Sequence, residues 1–307
     1  MRSPLGNERG MVLLLVLVVV TLLAALLSEF SFSSLVDLRL AETFRDSSRA
    51  YYLANGGVRA GRMLLQEDRN SYDGPDEVWS QGVVGYPVAD GAVTISIADL
   101  GGRVDLNRLV TSGVNVDAFV KDRCLRLFTN LDLEDPAGLV DALIDWLDFG
   151  DSDQEQPLGA ESAYYLGLPR PYPAGNGPLA SFDELSLVKG FTAEVLATLA
   201  PHVTVYGGAR ININTASKEV ILALSEQMDE QTAEEIVTSR AETPFKTLQQ
   251  LQDLPGMETL YGAIATFIDL KSDNFRIESL GQVGDGARTV VAVVQKSGDR
   301  ILYQRVY

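Results

Sequence analysis

Five acidic side chains crowd one stretch of this chain. Asp148, Asp151, Asp153 and Glu155 follow directly on the run Ala137–Leu147, and Glu161 comes six residues later. Within the run, Leu139, Ala142, Leu143, Trp146 and Leu147 share one helical face, which predicts a short amphipathic helix. The C-terminal end of a helix is its negative pole, so carboxylates gathered there meet an unfavourable field and one another. A cation relieves both. An all-oxygen set suits calcium, which takes ~6–8 oxygens in flexible geometry, better than magnesium, which keeps its waters. The spacing is not that of an EF-hand. Counted from Asp151, D-x-D-x-E fills the first five positions, but Gln156 stands at the glycine position and Ser162 at the final glutamate, with Glu161 one residue off. The residues alone leave two readings open, a calcium loop and a solvated acidic loop. A carboxylate pair of the glycosidase kind is a third chemistry. It would find only Tyr164, Tyr165 and Tyr172 as nearby aromatics, and no catalytic site is expected.

The 307 residues carry a net charge of −17, a surface that repels nucleic-acid phosphates and attracts divalent cations. Hydrophobic residues at 46% supply a real core for one or two domains. Cys124 is the single cysteine, so no internal disulfide forms, and it reads as a buried small hydrophobe. His202, the one histidine, has no triad motif around it. The absence of a Walker loop, a dinucleotide fingerprint and Cys/His metal spacing argues against nucleotide use. Two segments, beginning FDELSLVKGF and ININTASKEV, look like helix-hairpin-helix units. The hairpin SEQMDEQ has no glycine and no base for phosphate contact, so they read as structural helix pairs.

The elements that would hold these residues begin with Met11–Ser28, an uncharged run directly behind Gly10. As a helix it is about 27 Å long, near the thickness of a bilayer core. A cleaved secretory signal, a plain anchor, and a pilin-type signal cut after Gly10 compete for it. Apolar residues continue past Ala24-Ala25, which argues against the first, and the choice of the pilin type rests mostly on the segments downstream. Arg2 and Arg9 before the run and Glu29 and Asp37 after it put the N-terminus in the cytoplasm. Helical periodicity persists to about Gln66, with Gly56-Gly57 either loosening the helix or admitting another backbone. Strands are expected at 91–98 and 103–106, paired across Gly101-Gly102, and at the C-terminus in RIESLGQV, ARTVVAVVQK and ILYQRVY. Between them lies a helical block whose ININTAS segment offers Thr215 or Ser217 as an N-cap and Asn212 and Asn214 as loop ties. The expected class is α+β: a long N-terminal transmembrane helix on an antiparallel sheet, interrupted by a large, mostly α-helical insertion. The parts are a leader 1–10, a membrane segment 11–28, the rest of the helix 29–66, sheet at 67–110 and 273–307, and the insertion 111–272.

Taken in order, SSRAYYLANGGVRAGRMLL, GGRVDLNRL, LVDALIDWLD, LGAESAYYLG, NGPLASFDELSLVKGFTAEVLATLAPHVTVY and ININTASKEVILAL resemble the K-type minor pseudopilins of type II secretion systems. The resemblance implies a pilin-like fold with SAM-like units in the insertion, placed at the tip of a periplasmic pseudopilus beside the I- and J-type minor pseudopilins. It implies cleavage between Gly10 and Met11 by prepilin peptidase, N-methylation of Met11, and contact with the inner-membrane secretion platform and lipids. Leu15 holds the fifth position after cleavage, where shaft subunits carry a glutamate. A buried carboxylate there needs the neighbouring subunit's amine, and a leucine suits a subunit that begins a fibre. The resemblance also implies structural calcium, with Asp148, Asp151, Asp153 and Glu161 as leading ligands and Glu155 and Asn176 as further ones. Ser162 departs from the family, which usually has an acid there, so one ligand is lost or replaced. A minor type IV pilin or an anchored helix-hairpin-helix protein acting in adhesion or DNA uptake is the alternative.

Overall fold

The computed structural model describes residues 8–150 and 155–307. Residues 1–7 of the expected leader lie outside the described residues.

Helix α1 (Glu8–Glu67) runs 60 residues without a break. No proline interrupts it, so every interior N–H can reach its i−4 carbonyl. From Gly10 it is long and apolar enough to cross a membrane. Residues 10–41 are exposed throughout, and Leu13 and Phe30 are each more than 70% exposed. The last third packs on a five-stranded antiparallel sheet in chain order: β1 (Val83–Val88), β2 (Gly91–Asp99), β3 (Asn274–Val283), β4 (Gly286–Gln295) and β5 (Arg300–Val306). Alternation selects the inner face. Val93, Ile95 and Ile97 of β2, Phe275 and Ile277 of β3, and Val290, Ala292 and Val294 of β4 meet Ala54, Val58 and Leu65 of α1. A Cβ on Gly57 would lie 2.1 Å from Ser279 Oγ and 2.9 Å from Val93, so the helix backbone rests directly on the sheet.

β2 and β3 are central neighbours, in register from Gly91–Val283 to Asp99–Phe275, although a long insertion separates them in sequence. The insertion leaves the sheet where α1 ends. There Leu100 N donates to Asn274 O at 3.0 Å and Gln66 Nε2 to Lys296 O at 2.6 Å. The opposite end of the sheet, Gly281 and Gly286, abuts Asp46–Ala50 of α1. The inserted domain therefore sits at the end of the body farthest from the apolar anchor. Lys296 Nζ locks this junction, bonding Asp68 at 2.6 Å and the fully buried Asp73 at 2.8 Å. Asn212 ties the insertion to the same place, donating to Asp73 O, Asp99 Oδ2 and Ser272 Oγ. Asn214 exchanges hydrogen bonds with the Phe245 backbone.

The insertion has its own core, built around α2 (Ala118–Asn130) and α3 (Pro136–Leu147), with Cys124, Leu127, Phe128, Leu143 and Ile144 fully buried. Asp117 caps α2, Asp135 caps α3 and Ser217 caps Lys218–Leu222. Three expectations need correcting. Residues 103–106 do not pair with β2; Val104–Asp105 pairs in parallel with Val203–Thr204, and Leu106 and Leu109 enter the helical core. Strand pairing to β2 ends at Asp99, so the chain joins the inserted core well before residue 110. Helix α3 is buried from Gly138 to Leu147 on every side rather than amphipathic, so its aspartates are buried with it.

Candidate functional site

Helix α3 ends at Asp148, whose backbone N–H still bonds Ile144 O. Asp145 and Asp148 are three residues apart and share a helical side. Residues 151–154 lie outside the described residues, and Glu161 directly precedes the short helix Ser162–Leu166. One carboxylate oxygen from each of Asp145, Asp148 and Glu161 lies within 4.8 Å of the others, and all three residues are buried. Asp145 Oδ1 accepts from Gln156 N at 3.0 Å, whereas Asp145 Oδ2 is buried without a hydrogen-bond partner among the described residues. A Cβ on Gly159 would stand 1.8 Å from that oxygen, so the loop approaches it only because the residue is glycine. Burial, opposed by the Gln156 N–H and reinforced by the charge of Asp148, pushes the Asp145 carboxyl up to about 6. The charge of Asp148 beside the buried Asp145 is a repulsion that a bound cation would relieve.

The surroundings are fixed. Lys121 Nζ pairs with Asp141 Oδ1 at 3.1 Å and reaches Gln156 Oε1, holding the far side of the loop. Trp146 Nε1 donates to Glu184 at 3.1 Å, and its ring packs edge-on against Tyr165. Lys189 Nζ bonds the carbonyls of Leu158 and Gly159. The donor set is all oxygen, and Asp145 Oδ2 is already stripped of water, so the arrangement fits a hard divalent cation of the calcium type.

Of the expected ligands, Asp148 and Glu161 come together. Asp151 and Asp153 lie outside the described residues. Glu155 is exposed, with its charge still felt at Asp145. Asn176 is half-buried at positive φ, beside a Gly177 N–H that reaches Trp146 O at 3.5 Å. Ser162 does not extend the carboxylate set; its Oγ accepts from Ala174 N at 3.1 Å. Sequence reasoning missed Asp145, which sits inside a run read as an amphipathic helix. A second acidic group, Asp68, Asp73 and Glu77, is served from within by Lys296, by Gly74 N and by Trp79 Nε1. Gly10, Met11 and Leu15 stand in the first turns of α1, all exposed. In the second helix-hairpin-helix-like segment, Lys218 is held by Glu230 and Glu234.

Family models described as type II secretion system protein K match residues 102–208 and 211–271, together more than half of the chain. Proteins named type II secretion system protein K from Aeromonas hydrophila and Pseudomonas aeruginosa are 28% and 27% identical. They align over 96% and 95% of this chain and 95% and 90% of their own lengths. A chain in the crystal structure of the GspK-GspI-GspJ complex from the enterotoxigenic Escherichia coli type 2 secretion system superposes with a TM-score of 0.71 at 18% identity. The match covers 88% of this chain and 99% of that one.

Proposed function

The chain belongs to the type II secretion system protein K family, and from that premise we propose that it caps the tip of the pseudopilus and starts its assembly. The observation that carries the proposal is the position of the inserted domain. It stands on the end of the sheet where α1 finishes, opposite the apolar anchor. Pilin-like subunits stack through their N-terminal helices, and a subunit arriving above this one would meet that mass. Leu15 supports the same end position, since it offers no carboxylate to the amine of a neighbour ahead. On this reading prepilin peptidase cuts between Gly10 and Met11, and Met11 is N-methylated. The anchor stays in the inner membrane with the globular part in the periplasm, awaiting docking to the secretion platform.

The I- and J-type minor pseudopilins are the proposed partners. The solved complex whose chain shares this fold was crystallised with GspI and GspJ. Calcium is the proposed structural ion, held by Asp145, Asp148 and Glu161, with Asp151, Asp153 and Asn176 as further candidate ligands. Its role is to neutralise buried acids and fix the loop that follows α3; no enzymatic activity is proposed. Co-expression of the full chain with the I- and J-type subunits of its own organism tests the partnership. The expected result is a detergent-stable complex holding one copy of each. Elution of the full chain alone under conditions where the other two pair would overturn it.

A further inference from the structure

A cleft of about 320 Å³ opens between the outer face of the sheet and the inserted domain. Its floor is Val291 and Val293 of β4, and its walls include Phe182, Tyr206 and Tyr303. Tyr206 and Tyr303 face each other across the domain junction with ring centroids 6.1 Å apart. Two guanidinium groups also line it, Arg103 from the insertion and Arg276 from β3.

Two of the guanidiniums at this cleft have a carboxylate partner. Arg276 pairs with Glu278 at 2.7 Å, and Arg305 at the rim pairs with Asp183. Among the described residues no carboxylate is hydrogen-bonded to Arg103. Its Nη1 donates to Ala200 O at 3.0 Å, at the C-terminal end of the helix Ala193–Leu199. The nearby Asp99 is fully engaged by Thr215, Asn212 and Gly101 N. Asp99 reaches Arg103 through its charge and not through a hydrogen bond, so of the three guanidiniums only that of Arg103 lacks a bonded carboxylate among the described residues. Burial and the charge of Arg276 lower the pKa of Arg103, and the charge of Asp99 offsets them only in part, a remaining penalty that a bound anion would relieve.

We propose that this cleft binds a peptide carboxylate carried beside an aromatic or large apolar side chain. The guanidinium fork of Arg103 and Arg276 would take the carboxylate, and Val291, Val293, Tyr206 and Tyr303 the apolar group. A fork-shaped donor matches a planar carboxylate in a bidentate manner. The apolar floor excludes a bare inorganic anion as the best ligand, and one guanidinium without a bonded carboxylate suits a monoanion. The volume lies at the small end of ligand pockets, enough for one or two residues. The inference stands on the cleft alone and does not depend on where the subunit sits in a fibre.

Fluorescence anisotropy on the full chain in detergent micelles tests it with three labelled tetrapeptides. One ends in phenylalanine with a free carboxylate, one is its C-terminal amide, and one is an amide with aspartate before the phenylalanine. The free acid, the aspartate peptide or both should bind at least about tenfold tighter than the neutral amide. Preference between those two tells whether a chain end or an acidic side chain is the source. Arg276→Gln should weaken the bound acid about tenfold, and Glu278→Gln, which releases Arg276, should tighten it. Arg103→Lys, which keeps the charge but not the fork, should also weaken it, and melting curves confirm that each variant is folded. Equal affinity for all three peptides, no binding by any, or folded Arg276→Gln and Glu278→Gln proteins that bind as the parent does would overturn the inference.

Discussion

Asp145 has no exposed surface, one oxygen bonded to Gln156 N and the other against Gly159, with a carboxylate oxygen within 4.8 Å of those of Asp148 and Glu161. Calcium at about a hundred times its Kd would add about 2.7 kcal/mol, roughly 5–10 °C in melting temperature for a body of this size. Asp145→Asn should abolish that response while raising the melting point of the chelated protein, measured by calorimetry with and without EGTA. A calcium response that survives the substitution removes Asp145 from the site. The acids after α3 were readable as a cation loop because they cluster in sequence. Asp145 was not, because hydrophobic periodicity hid it inside a run that reads as an amphipathic helix. Asp105 is a second buried acid, and burial pushes it up to about 6 although Asn107 N donates to it. A carboxyl whose folded pKa exceeds its unfolded value of about 3.9 stabilises the fold when protonated. This contribution is complete below pH ~4 and lost as pH rises through about 6. Asp105→Asn keeps the acceptor for Asn107 and should gain on the order of 2 kcal/mol at pH 7.5. Urea titrations at pH 4 and 7.5 check this; an equal effect at both would contradict the assignment.

At the level of elements, α1 shows where sequence is informative and where it stops. Its length, apolar start and missing proline were all visible. Gly56 and Gly57 looked alike, as a place where the helix loosens or a backbone approaches. The structure separates them: a Cβ on Gly56 meets nothing within 4 Å, while one on Gly57 meets Ser279, Val93 and Ile95. Gly56→Ala should stabilise by roughly 0.5–1 kcal/mol through helix propensity. Gly57→Val should cost about 1–3 kcal/mol through overpacking against the sheet. Chemical denaturation of the two variants reads the difference, and equal effects would mean that the helix does not lie on the sheet as described. The C-terminal strands were legible from alternation and from turns at Asp285-Gly286 and Gly298-Asp299. β1 was not: Gly82 and Gly85 adopt positive φ and Pro87 removes a donor, so an exposed edge strand reads as a turn. Val104–Asp105 was misassigned because two residues carry no periodicity, and its partner Val203–Thr204 is far along the chain.

For the whole molecule, the class was legible because helix, early strands, helical block and late strands occur in an order that only an interrupted sheet satisfies. What sequence did not give was the end of the sheet from which the insertion leaves. That depends on the antiparallel register of β2 with β3 and on the junction made by Lys296, Asp73 and Asn212. This geometry turns a large domain into a candidate cap, since its bulk lies beyond the end of α1 and away from the anchor. The direct measurement is gold labelling of an epitope tag at the exposed Glu226, in a turn of the insertion, imaged by electron microscopy on pseudopili grown with the tagged chain as the sole K-type subunit. A single label at one end of each fibre is the predicted result. Labels repeated along the shaft would contradict the capping role.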